Sequence, residues 1–303
     1  MKEGMVLRKK VLSVVLIMVL MFSIMPATAY ADIGPKPSVV IDFRGLDGEI
    51  YYVTLLSEIK STGPHSVLGD HPNNQRYHSG DEDYEIWEKF VSYKDEDGYY
   101  FLQFFMECTE TSQFKWGYYP PPKFKILLYF PEYNQFAVSH EPYERYAFDS
   151  YYSVDVEGLE IQSVIQNDHI KAVKNYDYRW ELISLMARIT GTVAIEVLIA
   201  FFFGFRSKKQ LLRIGFVNVL TQSILNILLN ITNYKHGSWM FVVGYIWMEI
   251  LVLLIEIVAY SILLKNIDAK MQIKRSIPIY AMIANGASFG IGLIISYLIP
   301  GIF

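Results

Sequence analysis

WMFVVGYIWMEILVLLIEIVAYSILL, residues Trp239–Leu264, decides what kind of fold this chain can adopt. The run holds no Lys, Arg or Asp, and its two carboxyls are Glu249 and Glu256. It is longer than the roughly 20 apolar residues that cross a hydrocarbon core about 30 Å thick. Three further runs are of the same kind: 183–205, 211–232 and 277–299. A chain with four such stretches belongs in a membrane, and its composition agrees, at 52% hydrophobic and 19% charged. The connections set the orientation. The first carries Arg206, Lys208, Lys209 and Arg213, the third carries Lys265, Lys270, Lys274 and Arg275, and the second, Asn233 to Ser238, carries only Lys235. By the positive-inside rule the first and third are cytoplasmic.

The N-terminus makes the same prediction independently. Lys2, Arg8, Lys9 and Lys10 precede an apolar run from Val11 to Met25, then Pro26 and the small-residue frames Ala27, Ala29 and Ala31. This is the pattern of a secretory signal peptide over 1–31; an uncleaved anchor is the rival reading. Export of the segment from Asp32 to Trp180 requires the first span to run inward, so Phe303 is expected outside the cytoplasmic membrane. Charge divides the chain accordingly. From Asp32 to Trp180 there are 25 acidic and 13 basic residues, and from Glu181 onward 5 acidic and 10 basic. The acidic half lacks the basic stripe a nucleic-acid groove needs.

Residues 32–169 read as one β-rich domain, sandwich-like or α+β, with 170–182 as a lead-in helix or linker to a four-helix transmembrane bundle in 183–303. Ser38 to Phe43 and Ile50 to Leu56, separated by Gly45-Leu46-Asp47-Gly48, read as a hairpin. Further strands are expected at Tyr99 to Glu107, Phe124 to Phe130, Gln135 to Ser139 and Tyr146 to Val156, and a helix at Tyr84 to Tyr93. Seventeen of the 23 tyrosines lie in this half, beside Trp87, Trp116 and the run Tyr118-Tyr119-Pro120-Pro121-Pro122. Exposed aromatics bind sugars and peptides, but tyrosines also fill the two faces of a sheet. The 62–83 loop contains His65, Asp70, His71, His78, Asp81 and Asp83, metal-ligating types whose spacing matches no known frame, so it reads as a solvated polar loop. The Gly of Asp95-Glu96-Asp97-Gly98 falls too early for an EF-hand. Cys108, the one cysteine, cannot make an intramolecular disulfide and reads as a small buried residue. No catalytic nucleophile motif, Walker loop, zinc spacing or cofactor motif appears.

Polar side chains inside a bilayer are costly and face the bundle interior, where they mark function or interhelical hydrogen bonds. The spans carry Glu196; Asn218, Thr221, Gln222, Ser223, Asn226 and Asn230; Glu249 and Glu256; and Asn285 and Ser288. Glu249 and Glu256, seven apart, share one helix face with Tyr245 and Tyr260 near it, while Asn218, Gln222 and Asn226 draw a slanted amide stripe suited to bond carboxyls. Counted at 1.5 Å per residue, Glu196, Asn218, Glu256 and Asn285 fall at one level, roughly 10 to 13 Å from the cytoplasmic ends. Glu249 with Gln222 or Asn226 forms a second tier. The candidate site is therefore Glu196, Asn218, Gln222, Asn226, Glu249, Glu256, Asn285 and Ser288. Spans two to four hold no interior Lys or Arg, and Arg188 lies two turns outward from Glu196. The carboxyls are thus either protonated and bonded to amides, or matched by a cation or substrate amine.

Gly34-Pro35-Lys36-Pro37-Ser38-Val39-Val40, the stretch Tyr52 to Ser57 with Ser61-Thr62-Gly63-Pro64, and Tyr146-Ala147-Phe148-Asp149-Ser150-Tyr151 resemble an exported segment of an uncharacterised membrane protein family of Clostridium-like Gram-positive bacteria. The membrane half is similar in Asn218 to Asn226, in Glu249-x-x-Val252-x-x-x-Glu256, and in Ala284-Asn285 with Ser288-Phe289. The resemblance implies the architecture and a Gram-positive cytoplasmic membrane, and no activity. Two functions stay open. One is a non-enzymatic extracytoplasmic domain that binds a cell-envelope ligand or a membrane partner subunit and is anchored by the bundle. The other is a small transporter or permease-like subunit with a cation or proton site in the bundle, which with four spans predicts a homodimer or a partner. A membrane enzyme using a carboxylate pair is a weaker third.

Overall fold

The computed structural model describes residues 34–70, 74–157, 170–264 and 271–298. The expected signal peptide, His71, the connection 265–270 and the C-terminal Phe303 lie outside them. Two compact units result: Pro35–Tyr176 with Tyr234–Gly237, and the remaining described residues.

The first unit is β-rich. In chain order it contains β1 (Ser38–Arg44), β2 (Tyr52–Ser57), α1 (Tyr84–Ser92), β3 (Tyr100–Phe101), β4 (Met106–Glu107), β5 (Gln113–Trp116), β6 (Lys123–Phe130), β7 (Gln135–Val138), β8 (Tyr143–Glu144), β9 (Asp149–Asp155) and β10 (Ala172–Lys174). One sheet has the order β10-β9-β1-β5, the other β3-β2-β6-β7 with β4 on β2 and β8 on β6. β6 shows why the unit has three layers. Successive side chains of a strand point to opposite faces, and KFKILLYF buries side chains on both. Phe124, Ile126, Leu128 and Phe130 enter the core shared with Val39, Ile41, Phe114 and Val154 of the first sheet. Leu127 and Tyr129 face the other way, under Trp87 and Phe90 of α1. Each of these large side chains contributes roughly 1.5–3 kcal/mol on full burial.

Three readings of the sequence change here. β1 and β2 do not form a hairpin: β1 pairs in parallel with β9, Ser38 opposite Asp149 through Arg44 opposite Asp155, and antiparallel with β5. Gly45 and Gly48, at φ 82 and 84, turn the chain from one sheet to the other. A turn signal specifies reversal, not pairing, and β2, apolar on both faces, lies instead at the centre of the covered sheet. The expected strand Tyr99 to Glu107 is two short pieces, because Gln103 takes φ 58 between them. The buried Gln103 side chain holds the neighbouring loop: its Nε2 donates to Ser66 O at 3.0 Å and Asn74 O at 2.8 Å, and its Oε1 accepts from Arg76 N at 3.3 Å. Finally, 170–182 is more than a lead-in: Ile170 is buried in the core and Ala172–Lys174 pairs with β9. The helix begins after Asp177, whose Oδ1 accepts from Trp180 N at 2.9 Å, an N-cap.

The second unit is helical: α2 (Tyr178–Phe202), α3 (Lys208–Leu263) and α4 (Met271–Leu298). Ser207 and Gln210 start α3 with a reciprocal capping box. Among the described residues two helices, α2 and α3, are long and apolar enough by themselves to cross a membrane, not the four expected, and Ile277–Gly292 is a shorter apolar stretch. The expected spans 211–232 and 239–264 belong to one 56-residue element, broken at Gly237 by φ 80 and ψ 175. The two arms of α3 fold onto each other: Leu225 and Leu229 pack with Phe241, Tyr245, Met248 and Val252. Side chains are distributed inside out. Phe202 is 76% and Phe216 69% exposed, whereas Glu196, Asn218 and Glu256 are fully buried. Contiguous exposed apolar faces of this kind suit helices solvated by lipid.

Candidate polar site within the helices

Glu196 of α2 and Glu256 of the C-terminal arm of α3 anchor hydrogen bonds that reach every helical segment of the unit. Thr221 Oγ1, on the N-terminal arm, lies 2.7 Å from Glu256 Oε1 and 3.0 Å from the carbonyl oxygen of Val217. Ser288 Oγ, on α4, lies 3.2 Å from Glu196 Oε1 and 3.0 Å from the carbonyl oxygen of Asn285. Each hydroxyl has one proton and more than one acceptor in reach, Thr221 also lying 3.2 Å from the carbonyl oxygen of Asn218. Each can donate to the carboxylate, or it can donate to the main chain and accept a hydrogen bond from the protonated carboxyl. Asn285 joins the two pairs: its Nδ2 donates to Glu256 Oε2 at 2.7 Å and to Ala281 O at 3.0 Å.

Two tyrosines close one side of the cluster. Tyr260 OH donates to Asn218 Oδ1 at 3.0 Å, and Tyr280 OH donates to the Glu196 carbonyl oxygen at 3.2 Å. Both phenols are fully buried and their rings are 5.7 Å apart. Glu196 Oε2, Asn218 Nδ2 and Asn285 Oδ1 are buried without a hydrogen-bond partner. Glu256 and Glu249 are both close enough to Glu196 for their charges to be felt there. Arg188 of α2 donates from Nη2 to Asn230 Oδ1 at 2.6 Å and lies 5.9 Å from the Phe241 ring centre.

The structure therefore gathers Glu196, Asn218, Glu256, Asn285 and Ser288 into one cluster. Asn226 behaves differently from the sequence reading: its Nδ2 donates back to Gln222 O at 2.8 Å and Oε1 at 3.3 Å, on its own helix, whereas Gln222 stands beside Glu249. Thr221, not the amide stripe, meets Glu256 from that arm. Glu249 stands apart, with Tyr245 and Gln222 beside it, on a groove between the C-terminal arm of α3 and α4. Tyr280 was not legible as a site residue. Its one signal is a phenol five residues before Asn285 in an apolar run.

The described residues of the polar loop in the β-rich unit form no comparable site. His65, read from sequence as part of a solvated loop, is buried with its ring 5.2 Å from Phe104 and 5.0 Å from Trp116. Asp81 is spent on the turn, its Oδ2 accepting from His78 N at 2.7 Å. No group of three or more His, Cys, Asp and Glu among the described residues is arranged to hold a metal. Cys108 is buried, and burial followed by the charge of Glu107 pushes its thiol up to about 12. Compared with family models, curated proteins and solved structures, this chain gives no match.

Proposed function

We propose that the chain is a multi-pass protein of a Gram-positive cytoplasmic membrane, crossing it with α2, the two arms of α3 and α4, with the β-rich domain and the C-terminus outside. Each arm of α3 spans on the order of 40 Å at 1.5 Å per residue, enough for a hydrocarbon core of about 30 Å. Within this topology we read the helical unit as a small permease-like subunit that takes up and releases a proton, or a monovalent cation in its place, at Glu196 and Glu256.

One observation carries the reading: both carboxyls are fully buried against hydroxyls that have a main-chain carbonyl as alternative acceptor. A lone negative charge there is too costly to persist, so each carboxyl needs a proton or a cation. The hydroxyls then accommodate either state without losing a bond. The test is the thermal stability of the detergent-solubilised chain across pH and with Na⁺, K⁺ and Li⁺, repeated with Glu196→Gln and Glu256→Gln. A ligand that binds only the folded state stabilises it. Stabilisation by pH or cation that both variants abolish supports the site. A flat response with both variants as stable as the parent refutes it and leaves a static anchor.

A second reading concerns the β-rich domain as the part that binds a cell-envelope ligand or partner. Tyr119 takes φ 53, ahead of the buried Pro120 and Pro121, and this bend leaves Tyr118 40% exposed. Bulky residues held in such conformations cluster at binding sites. Retention of the chain by purified Gram-positive cell wall, lost with Tyr118→Ala, is the expected result; retention unaffected by that change removes the argument.

A further inference from the structure

Beyond the buried carboxyl pair, the groove between the C-terminal arm of α3 and α4 has the chemistry of a ligand site. Its volume is about 220 Å³, below the roughly 300–1,000 Å³ of drug-sized sites. Ile250, Met282 and Phe289 line it with hydrocarbon, and its polar lining consists of Glu249 and Asn285. Both offer acceptors alone. Glu249 Oε2 and Asn285 Oδ1 are buried without a partner. Asn285, 4% exposed, cannot flip to present its amide protons, because Nδ2 is held by Glu256 and Ala281. Gly286 keeps the groove open, since a Cβ built there meets no heavy atom within 4 Å.

Two unpartnered acceptors, one of them a carboxyl, at the floor of an apolar groove with no basic lining residue call for a donor of positive charge on an apolar body. We propose that this groove binds a small hydrophobic ammonium compound, its N–H groups donating to Glu249 Oε2 and Asn285 Oδ1. The proposal rests on the permease-like reading and names its substrate class. Occupancy would also touch the proton site, because Asn285 holds the ligand with one atom and Glu256 with the other.

The probe is tritiated 1-adamantylammonium, measured by equilibrium binding to the full chain in lipid nanodiscs, with 1-adamantanol and adamantane-1-carboxylate as neutral and anionic competitors. Saturable binding is expected, displaced by unlabelled ammonium at least tenfold more effectively than by the alcohol, and not by the carboxylate. Glu249→Gln, which keeps shape and removes charge, should weaken binding at least tenfold. Gly286→Leu, which fills the groove, should abolish it. A parent chain whose stability responds to neither pH nor cation but which still binds adamantylammonium separates failure of the proton reading from failure here. Binding no greater than to empty nanodiscs, equal displacement by the carboxylate, or full affinity in Glu249→Gln overturns the proposal. Because Glu249→Gln is isosteric, it decides the question even if Gly286→Leu does not fold.

Discussion

Lowering the pH should weaken the β-rich unit through one side chain, His65. Its ring packs edge-on against Phe104 and Trp116, it is 5% exposed, and its Nδ1 has no partner. Burial, and next the charge of Arg76, push its pKa from 6.5 down to about 4. Between these two values the unfolded chain binds a proton at this position and the folded chain does not. Stability therefore rises with pH through that window and is lost as pH falls from about 6.5 toward 4. At about 1.4 kcal/mol per unit, the loss by pH 4 is about 3 kcal/mol, a large share of the 5–15 kcal/mol typical of a domain. His65→Phe keeps a ring among rings and removes the proton. Urea unfolding of the full chain in detergent, followed by far-ultraviolet circular dichroism at pH 7, 5.5 and 4, isolates the effect, since all other titrating groups cancel between parent and variant. The parent should lose about 3 kcal/mol more than His65→Phe between pH 7 and pH 4. Parallel pH dependence of the two proteins would refute the account of His65 as a neutral core residue.

The same geometry fixes three further outcomes. Lys125 is buried on β6 with its ammonium 3.1 Å from Asp95 Oδ1 and bonded also to Asp97, and Asp95 is equally buried. Burial works against the Lys125 charge, but the hydrogen bonds and charges of Asp97 and Asp95 outweigh it and leave its pKa raised. Lys125→Met should cost about 3–5 kcal/mol by stranding Asp95, and adding Asp95→Asn should restore much of it, measured by urea unfolding. Gly45→Ala should cost more than Gly48→Ala: both have φ above 80, but a Cβ at Gly45 would lie 2.7 Å from the Glu157 amide nitrogen, while Gly48 has open space. About 1 kcal/mol from backbone strain is expected at Gly48 and several at Gly45. In the helices, Glu256→Gln should change the melting temperature little, because an amide can still bond Thr221 and Asn285. Glu256→Leu should cost about 1–3 kcal/mol by leaving those groups buried and unpaired; equal loss in both variants would contradict this hydrogen-bond assignment.

Local patterns carried a large part of the architecture. The apolar run of Phe124 to Phe130, the 3.6-residue period that buries Trp87 and Phe90, and the apolar runs of α2 and α3 are written along the chain, because each reports which faces of one element are apolar. Glu196, Asn218, Glu256, Asn285 and Ser288 were legible as a set for the same reason: each is a polar group in an apolar run, at a depth set by rise per residue. Pairing was not legible. That β1 lies beside β9 instead of β2 depends on which surfaces can be covered together across more than a hundred residues. Donor and acceptor choices were likewise undecided by spacing. Thr221 reaches Glu256, Asn226 turns back to Gln222, and Tyr280 enters the cluster only once α4 packs against α2. His65 reversed its reading when Phe104 and Trp116 enclosed it. Which faces are apolar, and at what depth polar groups lie, could be read along the chain because these are properties of single elements. Strand partners, hydrogen-bond partners and the groove beside Glu249 came only with the folded chain, since each needs two elements to meet.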